Sequence, residues 1–449
     1  MTEHQTVTTR SGTIAYTDAG SGPVALFVHG VGTSSRLWRK VVSQVADLRR
    51  CVALDLPLHG GSPARPGQDF SLGALAQVVE DFCAALGLDA VDLVANDTGG
   101  AVAQIFAARN PELVRTLTLT NCDVHDNVPP EAFKPTVELA ATGALSRSAA
   151  AVLADPALSR GALGTGFERP ADVADADLRA YLEPVLGTPE NAREFERFLL
   201  ALGPDDLLAA EPALRTLQAP TLIVWGTGDP FFDVRWAHWL KDAIPGATGV
   251  VEVPGARLFF PDERPDDLVP HLRRHWLDHA PAWRARAERP DDAAAIREIN
   301  LAAFPSAEEA DLVEALRADP DAWIDGLSLI AESAADGTPA GYALLTRCRV
   351  GDAPALALGP CAVTPSHQRT GAGSAAIRAA LGAARRMGEN LVVVLGHAEY
   401  YPRFGFRRAS EFGIRASFEV PDENLMALAL DASKPVPSGT IRYPAAFGV

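Results

Sequence analysis

Residues 93–100 read LVANDTGG, an apolar run that ends on small residues and passes into a helix-like stretch. A sharp strand-to-helix turn needs small neighbours, because the backbone is strained and the two elements pack closely. Ala95, Gly99 and Gly100 supply them around Asp97. The stretch therefore predicts a buried strand over 91–97, a helix over 99–109, and a carboxylate at the turn between them.

Further short β-rich runs lie on either side: VALFVHG (24–30), CVALDLP (51–57), VRTLTLTN (114–121), TLIVWGT (221–227) and GVVEVPG (249–255). Helical patterns over 72–86, 99–109 and 263–278 separate most of them. Runs this continuous suit parallel strands covered on both faces. The expected class is α/β, with a doubly wound, mostly parallel sheet. Residues 127–215 break the alternation, being rich in Ala and Leu, helical in pattern and free of strand signals. An insertion there reads as a helical cap over the carboxyl edge of the sheet, where open α/β folds bind ligands. The sheet core is then 1–126 and 216–280, with the cap over 127–215.

Proline and charged residues in HAPAWRARAERPDD (279–292) interrupt both patterns and predict a linker over 281–291. Residues 292–449 read as a smaller α+β domain. It has a helix over 292–303, strands in LSLIAES, GYALLTRCRV, ALALGPCAV (355–363) and NLVVVLG (390–396), and a helix from about 371.

The net charge of −17 argues against a nucleic-acid partner held by overall positive charge. The five cysteines (Cys51, Cys83, Cys122, Cys348, Cys361) are odd in number and form no C-x-x-C, which argues against a disulfide framework or a zinc site. No signal-peptide pattern opens the sequence and no apolar run reaches membrane length. The expectation is a cytoplasmic protein acting on small molecules, with no metal, nucleic acid or membrane partner.

Around LVANDTGG stand HGVGTSSRLW (29–38), DLPLHGGS (55–62) and WGTGD (225–229). In this order they resemble the α/β-hydrolase family over roughly residues 10–280. An aspartate at the turn is similar to haloalkane and haloacetate dehalogenases and epoxide hydrolases. There the carboxylate attacks carbon to form an ester. A histidine-activated water then cleaves the ester while an acid orients the histidine. The resemblance implies Asp97 as nucleophile and Asp229 as the acid, with Asp123 as its alternative. It also implies Val31 and Thr98 as backbone oxyanion donors.

Where the family reads Gly-x-x-His-x-x-x-x-Glu-x-Pro, this chain reads Gly255-Ala-Arg-Leu258-Phe-Phe-Pro-Asp-Glu263-Arg-Pro265. The flanks align without a gap, and leucine, which cannot accept a proton, takes the histidine position. His125, in NCDVHDNVPP after a sheet strand, is the substitute considered. Three readings stand open. The domain hydrolyses by an unusual route through His125 or a bound water, performs non-hydrolytic chemistry with Asp97 as acid or base, or binds a ligand without turnover.

In the second domain, Gln368-Arg369-Thr370-Gly371-Ala372-Gly373-Ser374 lies between a strand and a helix. Glycines there let backbone N–H groups converge on a phosphate at a helix N-terminus. Gly359-Pro360 falls inside the preceding strand and implies a bulge or local opening. With the opening RPDDAAAIREINLAAF and a Tyr-x-x-x-Gly-Phe signature at Tyr401–Phe406, this resembles the GNAT N-acetyltransferase family from about residue 288 to 449. The resemblance implies acetyl-CoA as co-substrate, bound by the backbone of Cys361, Ala362 and Val363 and by the loop 368–374. It implies an amine of a small molecule or peptide as acceptor and Tyr401 as proton donor to the departing thiolate. Glu309, Glu332, His397 and a bound water chain stay open as the base.

Overall fold

In the computed structural model, which describes residues 4–88, 90–431 and 434–448, the chain divides into two units, Met1–His279 and Ala280–Val449. The first contains β1 (His4–Thr9), β2 (Gly12–Ala19), β3 (Val24–Val28), β4 (Arg50–Leu54), β5 (Val91–Asp97), β6 (Val114–Cys122), β7 (Thr221–Gly226) and β8 (Ala247–Val253). They form one sheet in the order β1-β2-β4-β3-β5-β6-β7-β8. From β4 to β8 every ladder is parallel, and each of the six apolar runs falls on one of these strands. All seven residues of β5 are buried, as a strand covered by helices on both faces requires.

β1 and β2 form an antiparallel hairpin that the apolar pattern did not reveal. β1 is largely exposed and polar, so it carries no run of hydrophobic residues to read. The sheet order turns between β3 and β5, with β4 on the far side of β3. This is the switch point at whose carboxyl edge doubly wound sheets leave a crevice. Val28 pairs with Ala95, so β3 and β5 end level and bring Gly30 and Val31 beside Asp97.

Between β6 and β7 lie the helices Lys134–Ala141, Ala144–Ala154, Pro156–Leu163, Asp175–Leu186, Pro189–Ala201 and Asp205–Leu214. A buried polar knot fixes one of them to the sheet core. The Tyr181 hydroxyl donates to Asp262 Oδ2 at 2.8 Å. Arg39 donates to Asp262 at 2.7 Å and to Asp177 at 2.9 Å.

The second unit contains β9 (Trp283–Ala287), β10 (Ser328–Ser333), β11 (Pro339–Val350), β12 (Ala353–Val363), β13 (Leu391–Leu395), β14 (Arg407–Arg408), β15 (Ile414–Arg415), β16 (Leu425–Ala429) and β17 (Gly439–Arg442). The main path is β14-β16-β13-β12-β11-β10-β9. The linker expected over 281–291 is thus corrected: Trp283–Ala287 is an edge strand paired antiparallel with β10. Its charged residues suit an edge, where only one side is hydrogen-bonded and its residues stay partly exposed.

β12 and β13 run parallel, joined by the helix Ala372–Arg386. That helix buries Ala376, Ile377, Ala380, Leu381 and Ala384 against the sheet. No single helix among the described residues is long and apolar enough to cross a membrane.

Candidate active sites

Asp97 occupies the turn with φ 57° and ψ −139°, a conformation that strains a residue with a side chain. Glycines make the turn possible. A Cβ on Gly30 would lie 2.4 Å from Asp97 Cβ and 2.5 Å from its Oδ2. One on Gly99 would lie 2.2 Å from the carbonyl oxygen of His29. The backbone N–H groups of Val31 and Thr98 sit against the Asp97 carboxyl and act to lower its pKa. The two expected oxyanion donors therefore converge, and the group they hold here is Asp97 itself.

Two further carboxyls act on it. Asp123, immediately after β6, accepts from the Thr98 hydroxyl at 3.1 Å through Oδ2. Its buried Oδ1 has no hydrogen-bond partner. Asp229, after β7, accepts from Asn121 Nδ2 at 2.7 Å and from the Phe231 N–H at 2.9 Å. Burial drives the Asp97 carboxyl well above the ordinary carboxylate range, and the charges of Asp123 and Asp229 add to this. Burial also pushes Asp123 up, against the Thr98 hydrogen bond, and Asp97 and Asp123 titrate as a pair. Asp229 is pushed up to about 7 by burial, opposed mainly by the Phe231 and Asn121 hydrogen bonds.

The histidines stand elsewhere. His29 Nε2 accepts from the Leu56 N–H at 2.9 Å, and burial pushes its pKa down to about 4. His59 Nε2 accepts from the Gly32 N–H at 3.2 Å, and burial pushes it down to about 3. Both are neutral supports of the loops beneath the turn. His125 does not reach the site, which corrects the expectation of a substitute base. Its Nδ1 is 2.8 Å from Glu211 Oε2 on the helix Asp205–Leu214, and its ring stacks 4.9 Å from that of Trp239. These contacts hold it outside the cavity lining.

A cavity of about 400 Å³ opens over Asp97. Asp97, Thr98 and Asp123 form its polar floor, and Leu258 lines it as well. Among the described residues, no histidine, lysine or arginine lines it. The walls come largely from the cap and from the segment after Asp229, including Phe133, Leu182, Phe195 and Phe231. No spacing or motif singles out these wall residues, apart from the Phe231-Phe232 pair next to Asp229. Tyr181, the one tyrosine of the insertion, is spent on Asp262 and stands outside the lining.

In the second unit, the β12–β13 ladder stops at Leu358↔Val394. β12 nevertheless continues along β11 to Gly341↔Val363, with a register shift next to Gly359-Pro360. Cys361, Ala362 and Val363 thus keep one paired side, while the side toward β13 lies open. The bulge expected from the proline is present at this point.

The loop Gln368–Ser374 follows. Arg369 has φ 63° and Gly371 φ 102°, and Gly371 caps the helix Ala372–Arg386. The Thr370 carbonyl accepts from Trp283 Nε1 at 3.0 Å, which pins the loop. A Cβ on Gly373 would sit 2.9 Å from Val363 Cγ2 and 3.3 Å from the Tyr400 hydroxyl. The first-turn N–H groups at Ala372, Gly373 and Ser374 have no partners within the helix, as at any helix start.

Tyr401 is buried, and its hydroxyl lies beside the Cys361 thiol. Burial raises both groups, the thiol to about 12. A proton-bearing phenol is therefore held at the open strand segment. Of the three side chains left open as base, Glu332 is ion-paired to Arg286, and His397 is exposed. Glu309 is half-buried, with Oε2 lacking a hydrogen-bond partner. No cluster of His, Cys, Asp or Glu among the described residues is arranged to hold a metal ion.

Comparisons with known proteins follow this division. An α/β-hydrolase-fold family model matches residues 23–154, and the acetyltransferase (GNAT) family model matches residues 293–406. Haloalkane dehalogenase 2 of Mycobacterium tuberculosis is 29% identical over 270 residues, covering 58% of this chain and 89% of that protein. The uncharacterized N-acetyltransferase YjhQ of Escherichia coli is 41% identical over 138 residues, covering 30% of this chain and 75% of that protein. The crystal structure of haloalkane dehalogenase DbeA from Bradyrhizobium elkani has the same fold as the first unit, with a TM-score of 0.54 at 22% identity over 62% of this chain and 99% of that one. The chain belongs to two families in succession, an α/β-hydrolase-fold domain followed by a GNAT acetyltransferase-family domain.

Proposed function

We propose that the second unit transfers an acetyl group from acetyl-CoA to an amine of a small molecule or peptide. The observation that carries this reading is the end of the β12–β13 ladder at Leu358, beside a glycine loop and a buried tyrosine. The residues suit acetyl-CoA. Cys361–Val363 leave backbone groups open along one strand edge, where a pantetheine arm would add like a short strand. Gly373 gives the room at the helix start that a phosphate needs, since a side chain there would crowd Val363 and Tyr400. The Gln368–Ser374 loop and the first-turn N–H groups would hold the diphosphate.

When bound, acetyl-CoA supplies an activated acyl carbon. Backbone N–H groups of the open strand would orient and polarise its carbonyl. Tyr401 keeps its proton at neutral pH and holds it at the hydroxyl facing Cys361, where a departing sulfur would receive it. The test is amine-dependent release of free thiol from acetyl-CoA, together with thermal stabilisation of the second unit by acetyl-CoA. Neither signal across an amine panel would sink the reading.

For the first unit, we infer a small-molecule site that does not complete ester hydrolysis. Leu258 lines the cavity over Asp97, and no base in that lining can activate water once the acidic floor is set aside. The high proton affinity of Asp97 also weakens it as a nucleophile at neutral pH. Incubation with haloacids, epoxides and activated esters, followed by intact-mass and product analysis, tests this. Product beyond one equivalent per chain would contradict it.

A further inference from the structure

Two features of the cavity point to the charge of its ligand. The first is Asp123, a residue only 2% exposed that lines the cavity floor and whose Oδ1 has no hydrogen-bond partner. A buried polar atom left unpaired is costly, and a ligand that supplies the missing partner removes that cost. The second is charge. Asp97 and Asp123 share the floor with Asp229 close behind, while the lining carries no lysine, arginine or histidine.

An anionic ligand would add to the repulsion, and a neutral one would leave it in place. A ligand with N–H donors and a positive charge satisfies the Asp123 carboxyl and offsets the repulsion together. The carboxyls are not grouped as a metal-binding set. The walls, with Phe133, Leu182, Phe195 and Phe231, suit hydrocarbon rather than an ion's water shell. The volume of about 400 Å³ falls in the range of small-molecule sites.

We propose that the first unit binds a primary amine with an apolar body, as its ammonium ion, with the Asp123 and Asp97 carboxyls as acceptors and the cap aromatics around the hydrocarbon. The proposal rests on the reading that this site does not turn over esters. No bond is made or broken: the ammonium brings its own proton, and protons held by the floor carboxyls leave to solvent. The groups that set this exchange are Asp97, Asp123, Asp229 and the buried Cys122 thiol, with Arg257 acting on Asp229 alone. His29 and His59 below stay neutral. An amine is also the acceptor class proposed for the second unit, so one kind of molecule would be recognised by both.

The experiment is calorimetric titration of the full chain at pH 8, without acetyl-CoA, with three probes of one shape: 2-phenylethylamine, 2-phenylethanol and 3-phenylpropanoate. The amine should bind at least tenfold more tightly than the alcohol, and the carboxylate should not bind measurably. Asp123→Asn and, independently, Asp97→Asn should each remove most of the amine's advantage while leaving weak alcohol binding. The wild-type comparison needs no variant and stands if either one misfolds. Equal affinity for alcohol and amine, or a preference for the carboxylate, would overturn the proposal. So would an amine preference that survives both substitutions, because it would lie elsewhere in the chain. Multiple-turnover hydrolysis of an ester or haloacid would instead overturn the non-hydrolytic reading, and the probe comparison would show that separately.

Discussion

The side-chain amide of Asn96 donates to the backbone carbonyl of Leu258 at 3.0 Å. The same amide donates to Thr120 Oγ1 at 2.9 Å. The residue before the elbow aspartate thus fastens the loop that carries Leu258, so this side chain sits on a fixed backbone. It is buried and packs into the wall of the cavity over Asp97.

Under the proposed reading, placing a base at that position should allow turnover. Leu258→His is expected to raise product formation from haloacids, epoxides or activated esters at least tenfold over wild type, with Asp229 near to orient the ring. Steady-state product release by the two proteins checks this. No gain on any of these substrates, in a variant that folds, would mean that more than the histidine is missing.

Gly30→Ala tests how tightly the turn is held. The new methyl would meet Asp97 atoms at about 2.5 Å, so the carboxyl must move off the Val31 and Thr98 N–H groups. A stability loss of about 1–3 kcal/mol is expected from such overpacking. Chemical denaturation read by tryptophan fluorescence measures it, since Trp38 and Trp225 are buried in this unit.

Asp229 should make the first unit less stable as pH rises. Its folded-state pKa of about 7 lies above the ordinary carboxylate value of 3.8. Below about pH 4 both folded and unfolded chains hold the proton, and this group's relative stability is fully present. Between about 4 and 7 the unfolded chain releases a proton that the folded chain retains, so stability falls until the folded group also ionises near 7. Asp229→Asn should flatten this slope. Denaturation midpoints at pH 5, 7 and 8.5 should show the variant gaining on wild type as pH increases. A constant difference would contradict the assignment.

In the second unit, Tyr401→Phe and Gly373→Val separate chemistry from binding. The first removes the hydroxyl at Cys361 and keeps the ring packed against Phe404 and Phe406. It should lower kcat on the order of 10²-fold with little change in acetyl-CoA affinity. The second crowds Val363 and Tyr400 at the helix start and should weaken acetyl-CoA binding. Titration with acetyl-CoA and steady-state kinetics on both variants distinguish the effects.

What could be read in advance followed physical rules that act locally. The five buried parallel strands β3 to β7 announce themselves because burial on both faces demands continuous hydrophobic runs, and the edge strand β8 is marked by its valines alone. The bulge at Gly359-Pro360 was legible because proline cannot donate to a ladder. The elbow was legible from small residues around Asp97. The exposed β1 and the edge strand β9 were not, since an edge tolerates charge and leaves no apolar signature. His125 misled because its place after β6 says nothing of its partners, Glu211 and Trp239, which come from more than eighty residues further along the chain. The unpartnered Asp123 Oδ1 and the cap aromatics around the cavity are products of tertiary packing, and no spacing in the sequence encodes them.

Thiol release from acetyl-CoA by the full chain, followed continuously over a panel of apolar primary amines, tests the proposed activity most directly. The account predicts release that depends on the amine, saturates with it, and falls on the order of 10²-fold in Tyr401→Phe. Release that is absent, or that is unchanged when the amine is omitted, would contradict it.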